Sequence, residues 1–285
     1  FAQGVLDSPD NVRLLGPDGK EVFCSTGVRS WWNRRGSIQW LGLDFIPTWS
    51  KQNQTYLVEY GPNVRRSVTG KLKVDEKDSE IRVTTGPIQF TVSRKRFRLI
   101  DSAFLDLNGN GKFEKDESVL KNSDSSGLFL VDHEGNRYES AGDRESKVEV
   151  EERGPVKVTI RATGWYVKRG TVGGRTSCEL PTDRLCKFTV RLTAYNGLPM
   201  VKAAVTTVLT YNSEKVRLRD LGIGFTPVET QKVVIGMDGG RSLEWDAERL
   251  KANPFLLQYR WDRCAEDTWR QWGPARGVSE AIGSK

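Results

Sequence analysis

Short runs of alternating or wholly apolar residues recur along this sequence, each closed by turn chemistry. They fall at residues 12–15, 37–45, 55–60, 80–84 and 88–92, then at 148–150, 156–161, 187–193, 201–210 and 232–236. Period-two patterning rich in Val, Ile, Thr, Phe and Tyr predicts strands. Pro17-Asp-Gly19, Glu134-Gly-Asn136 and Asn196-Gly197 supply turns, because proline fixes φ and glycine or asparagine accepts positive φ. Helical periodicity is confined to residues 243–250 and 265–272. The expected fold is all-β, a large β-barrel or sandwich-like barrel with long loops and little helix. Flanking 97–100 and 128–131 are two further apolar runs with the look of strands.

No repeat indicates a propeller or solenoid, and no Gly/Ser linker divides the chain. A boundary is expected near Thr226-Pro227, where the strand pattern thins: residues 1–225 as the barrel, 226–285 as an aromatic-rich extension of the same domain. Beginning at Phe1 and ending at Lys285 without a signal peptide or closing element, the chain has the aspect of a piece of something longer. No apolar run approaches the ~18 residues of a membrane span.

One segment carries a metal pattern. In Asp106-Leu-Asn-Gly-Asn-Gly-Lys-Phe-Glu-Lys-Asp-Glu117, oxygen-bearing side chains occupy loop positions 1, 3, 5, 9 and 12, with glycine at 6. A hard cation such as calcium takes six to eight oxygens. Asp106, Asn108 and Asn110 would converge on it while Gly111 lets the backbone reverse. Lys112 would give its carbonyl, Glu114 would bind directly or through water, and Glu117 would close the shell with two oxygens. Because the flanks are strand-like, the expected role is a structural brace and not a helix-loop-helix sensor. A solvated acidic turn would have the same composition.

Cysteine usage points the same way. Cys178 and Cys186 flank a Pro181-Thr-Asp183 turn and could close a hairpin loop as a disulfide. Cys24 and Cys264 could pair only if the fold brings them together. With no C-x-x-C and one histidine, a zinc site is not expected. Four cysteines beside a calcium loop favour an extracellular, cell-surface or periplasmic location, the alternative being four reduced thiols. Formal charge is +7, from 44 Lys+Arg against 37 Asp+Glu, which attracts polyanions in general. The basic residues are dispersed and no nucleic-acid motif is present, so no nucleic-acid partner is expected and acidic polysaccharide remains a candidate.

The strand text Val12-Arg-Leu-Leu-Gly-Pro-Asp-Gly-Lys-Glu-Val22, Gly36-Ser-Ile-Gln-Trp-Leu-Gly-Leu-Asp-Phe45 and Tyr56-Leu-Val-Glu-Tyr-Gly61 resembles the opening of the exo-rhamnogalacturonan lyase (YetA-like) family. Gly127-Leu-Phe-Leu-Val-Asp-His-Glu-Gly-Asn-Arg-Tyr138, Glu151-Glu-Arg-Gly-Pro-Val156 and Val190-Arg-Leu-Thr-Ala-Tyr-Asn-Gly197 resemble later strands of the same N-terminal RIFT-type barrel. The resemblance implies an extracellular carbohydrate-active protein whose relatives continue into downstream domains, an α/α toroid among them. The calcium-type loop is an insertion relative to that pattern.

A lyase needs a base, a carboxylate neutraliser and an acid for the leaving oxygen. His133 lies in an expected hairpin turn, and Tyr195 and Tyr211 belong to apolar strands. No catalytic residue is therefore assigned. Arg260, Trp261, Arg263, Trp269 and Trp272 could form a sugar-binding wall, indoles stacking on pyranose rings and guanidinium groups holding carboxylates. Packing beneath a long loop or against a downstream domain would also account for them. Trp31, Trp32 and Trp40 are expected in the core. Three function classes stay open: an accessory barrel of a lyase, a carbohydrate-binding module, and a cell-surface structural or assembly protein.

Overall fold

The computed structural model describes residues 1–34, 36–48, 50, 52–124, 126–169, 183–228, 231–236, 242–251, 254–260 and 263–268. They form two compact units, Phe1–Thr226 and Pro227–Lys285. As the sequence patterning predicts, the fold is nearly all β.

The first five strands are β1 (Val12–Leu15), β2 (Glu21–Val22), β3 (Cys24–Trp31), β4 (Ile38–Phe45) and β5 (Leu57–Tyr60). Strand β1 lies between β2 and β5, and β3 pairs with β4 as a two-stranded ribbon. The β1–β2 turn closes with the Gly16 N–H donating to the Lys20 carbonyl, and Gly19 takes φ 74°. Leu6, Val12 and Ile38 form a small core with Val28, Leu41 and Leu43 against it.

Next comes an antiparallel sheet of β6 (Lys73–Glu76), β7 (Glu80–Thr84), β8 (Ile88–Ser93), β9 (Ser102–Leu105) and β10 (Ser118–Leu120). Its order is β10-β9-β8-β7-β6. The larger sheet contains β11 (Gly127–Asp132), β12 (Arg137–Glu139), β13 (Lys147–Arg153), β14 (Lys157–Lys168), β15 (Arg184–Tyr195), β16 (Val201–Leu209) and β17 (Leu218–Gly224). Its order is β16-β15-β14-β12-β11-β17, with β13 also on β14.

One hydrophobic core joins the two sheets. Ile81, Val83 and Phe90 of the smaller sheet share it with Leu130, Ile160 and Phe188 of the larger. Alternation explains the pairing: along β15 every second residue from Cys186 to Ala194 is buried, and the intervening residues face outward. Phe188 sits at the centre, stacked on Phe97 at 5.5 Å and edge-on to Tyr166 at 5.7 Å.

In the second unit, β18 (Lys232–Gly236) pairs with β19 (Ser242–Asp246), α1 spans Ala247–Lys251, and β20 (Pro254–Arg260) pairs with β21 (Arg263–Thr268).

Three local expectations are corrected. Residues 243–250 are helical only from Ala247, because Leu243 and Trp245 align with Ile235 and Val233 across the hairpin and so obey period two. Of the second helical stretch, 265–272, residues 265–268 belong to a strand and 269–272 lie outside the described residues. The run at 97–100 is an irregular connection in which Leu99 takes φ 75°, although Phe97 and Leu99 are fully buried. Trp31, Trp32 and Trp40 are surface residues, 45%, 41% and 67% exposed. The reason is that β3 shifts register at Val28/Ser30 and again at Ser30/Trp31, opposite Trp40, and a bulged two-stranded ribbon covers only one side with the small core.

Candidate functional site

Residues 106–117 connect β9 to β10, neighbouring strands at the edge of the smaller sheet. Antiparallel pairing of Phe104 with Ser118 therefore returns the end of the loop to its beginning. Asp106 is fastened by its own N–H to the Pro87 carbonyl at 2.9 Å. Its Oδ2 accepts the Gly111 N–H at 2.9 Å. Asn108 Oδ1 accepts from Asn110 N–H at 2.9 Å, and Asn110 Oδ1 accepts from Lys112 N–H at 2.7 Å. These reversals need positive φ at the intervening glycines, and Gly109 and Gly111 take 74° and 75°.

A short 3-10 turn, Lys115–Glu117, then drops Glu117 inward, where it is 3% exposed. Glu117 Oε1 accepts the Leu107 N–H at 3.0 Å, and Oε2 accepts the Glu114 N–H at 3.1 Å. Asp106 Oδ1 is buried with no hydrogen-bond partner. A buried carboxylate oxygen left unsatisfied is costly.

Among the described residues no three His, Cys, Asp or Glu side chains converge as a metal cluster. The segment carries the Asp106 and Glu117 carboxylates and the amide oxygens of Asn108 and Asn110, an oxygen donor set of the kind that suits calcium and not zinc. Glu114 is exposed and meets Glu117 through its backbone N–H.

His133 sits in the β11–β12 turn, its Nδ1 accepting the Arg217 N–H at 3.3 Å while its backbone N–H donates to the Arg217 carbonyl at 2.9 Å. Beside it, burial raises the affinity of Asp132 for a proton, but bonds from Asn136, Tyr138 and Glu134 outweigh that and hold its carboxyl below the usual range. Arg260 and Arg263 are backbone partners at the β20–β21 turn. Trp261, Trp269 and Trp272 lie outside the described residues, as does Cys178. Cys186 is a buried free thiol, and burial pushes its pKa up, away from thiolate chemistry. Cys24 is also buried and free. No described helix is long and apolar enough to cross a membrane.

Residues 72–233, more than half of the chain, match the family described as PcRGLX-like protein central beta sandwich domain. The chain belongs to this family. The match begins just before β6 and takes in both sheets of the sandwich, so the rhamnogalacturonan lyase-like part of the molecule is the part that carries the 106–117 loop. No curated protein matches the chain. Sequence reasoning did not find the exposed indoles of the β3–β4 ribbon, because the bulges that turn them outward leave no mark in an alternating pattern.

Proposed function

We propose that this chain is the accessory, non-catalytic β portion of a secreted carbohydrate-active protein that acts by β-elimination on acidic pectin-type polysaccharide, and that residues 106–117 form a structural calcium site within it. Family membership supports the carbohydrate role. The one histidine of the chain is engaged with the Arg217 backbone, which favours a turn-stabilising role over that of a base.

The observation that carries the calcium reading is the buried, unpartnered Oδ1 of Asp106 in a loop whose other end folds the Glu117 carboxylate back onto Leu107. A divalent ion would satisfy that oxygen and take further donors from Asn108, Asn110, the Lys112 carbonyl and Glu117. Extracellular calcium modules bind at roughly 10⁻⁴ to 10⁻³ M, matching a location where the ion is abundant. Arg260 and Arg263, together with Trp261, Trp269 and Trp272 of the same stretch of sequence, are the proposed sugar-contacting residues.

A carbohydrate-binding module is the second reading, favoured by the exposure of Trp31, Trp32 and Trp40 on one ribbon. The two separate in an assay on rhamnogalacturonan. The accessory reading requires that the full-length gene product release unsaturated uronate, seen as new ultraviolet absorbance, and that this chain alone release none. Tight binding of the polysaccharide by this chain, with no lyase activity in the full-length product, would favour the module.

A further inference from the structure

Three segments meet the 106–117 loop and line with it a cleft of ≈ 790 Å³. Residues 68–73 form one wall, the β7–β8 turn at Gly86 and Pro87 another, Asn196-Gly197 a third, and Asp106, Gly109 and Gly111 the fourth. Hydrogen bonds between segments build it. Asn196 Oδ1 accepts the backbone N–H groups of Lys71 and Leu72 at 2.6 and 3.1 Å. The Gly197 N–H donates to the Thr85 carbonyl at 2.7 Å, and Asp106 is tied to Pro87.

Glycine shapes the interior. A Cβ at Gly70 would fall 2.7 Å from the Phe23 ring, and one at Gly86 would fall 3.1 Å from the Lys71 stem. An aromatic ring and an aliphatic stem therefore lie directly against the backbone, leaving the cleft open between them. Lys71 and Lys73 both line it and form no ion pair among the described residues. Among the described residues, Asp106 is the one carboxylate in the lining.

We propose that this cleft is a cation-dependent binding site for a uronate sugar, its carboxylate held between Lys71, Lys73 and the ion of the neighbouring loop. The inference rests on the calcium reading of that loop. Without the ion, Asp106 offsets one lysine and repels an incoming carboxylate. With it, the charge of Asp106 is neutralised, and Lys71 and Lys73 leave the cleft net positive toward an incoming carboxylate. The Phe23 ring supplies an apolar surface for a pyranose face. Cation and sugar then bind with reciprocal coupling, each strengthening the other.

The test is isothermal titration of the whole chain with digalacturonate, in calcium and in chelator, alongside the neutral digalactose. Binding of digalacturonate in calcium, weakened about tenfold or more in chelator, is the expected coupling. Digalactose should bind more weakly under both conditions. A Lys71→Ala/Lys73→Ala double variant should lose the affinity, and Lys71→Arg/Lys73→Arg should keep it. Equal affinity with and without calcium, or in the double alanine variant, overturns the proposal. If calcium raises the melting temperature but digalacturonate does not bind, this inference fails while the calcium reading stands. If calcium changes neither melting nor binding, both fail.

Discussion

Glu117 reaches back ten positions to accept the Leu107 N–H at 3.0 Å, so the two ends of the 106–117 loop are closed on each other by a buried carboxylate. That bond depends on the β9–β10 hairpin and not on the loop residues alone. In the proposed calcium site this closure would already hold the two ends of the loop together, which lowers the ordering cost of binding.

Replacing Glu117 tests the closure. Glu117→Gln keeps the shape but removes the charge and one acceptor oxygen. The variant should be destabilised by about 1 to 3 kcal/mol, since a buried bond to a charged group is lost. Its melting curve should also lose any calcium response.

Phe188 is the centre of the sandwich, packed between Phe97 and Tyr166. Phe188→Ala should cost roughly 3 to 5 kcal/mol, measured by chemical denaturation, through the lost transfer free energy and the cavity left behind. A cost near zero would mean that the sheets do not share the core described above.

Gly164 marks a close approach. A Cβ there would lie 2.6 Å from Asp143 Oδ2 and 2.8 Å from the Phe188 ring. Asp143 itself is buried and accepts the Trp165 N–H at 2.7 Å and the Glu145 N–H at 3.0 Å. Gly164→Ala should therefore destabilise the chain by about 1 to 3 kcal/mol as an overpacking substitution, lowering the denaturation midpoint.

Tyr138 carries a pH signature. Burial first, and then the negative charge of Asp132, push its phenol up to about 12 from the ordinary 10.0. A raised folded-state pKa contributes stability that is fully present below about 10 and is lost as pH rises through about 12. Ultraviolet titration should show Tyr138 among the late-ionising tyrosines, with Tyr166 and Tyr211 also raised by burial, and Asp132→Asn should bring the Tyr138 component back toward the ordinary value. Asp132 works in the opposite direction, since its lowered pKa adds stability above the usual carboxylate range that is lost on acidification.

The strands were legible because burial on one face forces alternation, and β1, β7 and β15 carry it plainly. The metal-type loop was legible because its ligand spacing is local. What escaped the sequence was set by partners far along the chain. Phe97 and Leu99 have the composition of a strand, yet the core takes both side chains from an irregular backbone. Trp40 has the position of an inward residue, yet a bulge in the facing strand leaves it outside. The cleft of Lys71 and Lys73 depends on Asn196, over a hundred residues away, and no local spacing announces it.

Calorimetric melting of this chain in millimolar calcium and in excess chelator tests the central claim most directly. With a site of the extracellular class, calcium adds on the order of 1 kcal/mol, and for a domain of this size that raises the melting temperature by roughly 2 to 4 °C. The predicted result is that shift in the wild-type chain and its absence in Glu117→Gln. Superimposable wild-type curves with and without the ion would contradict the account.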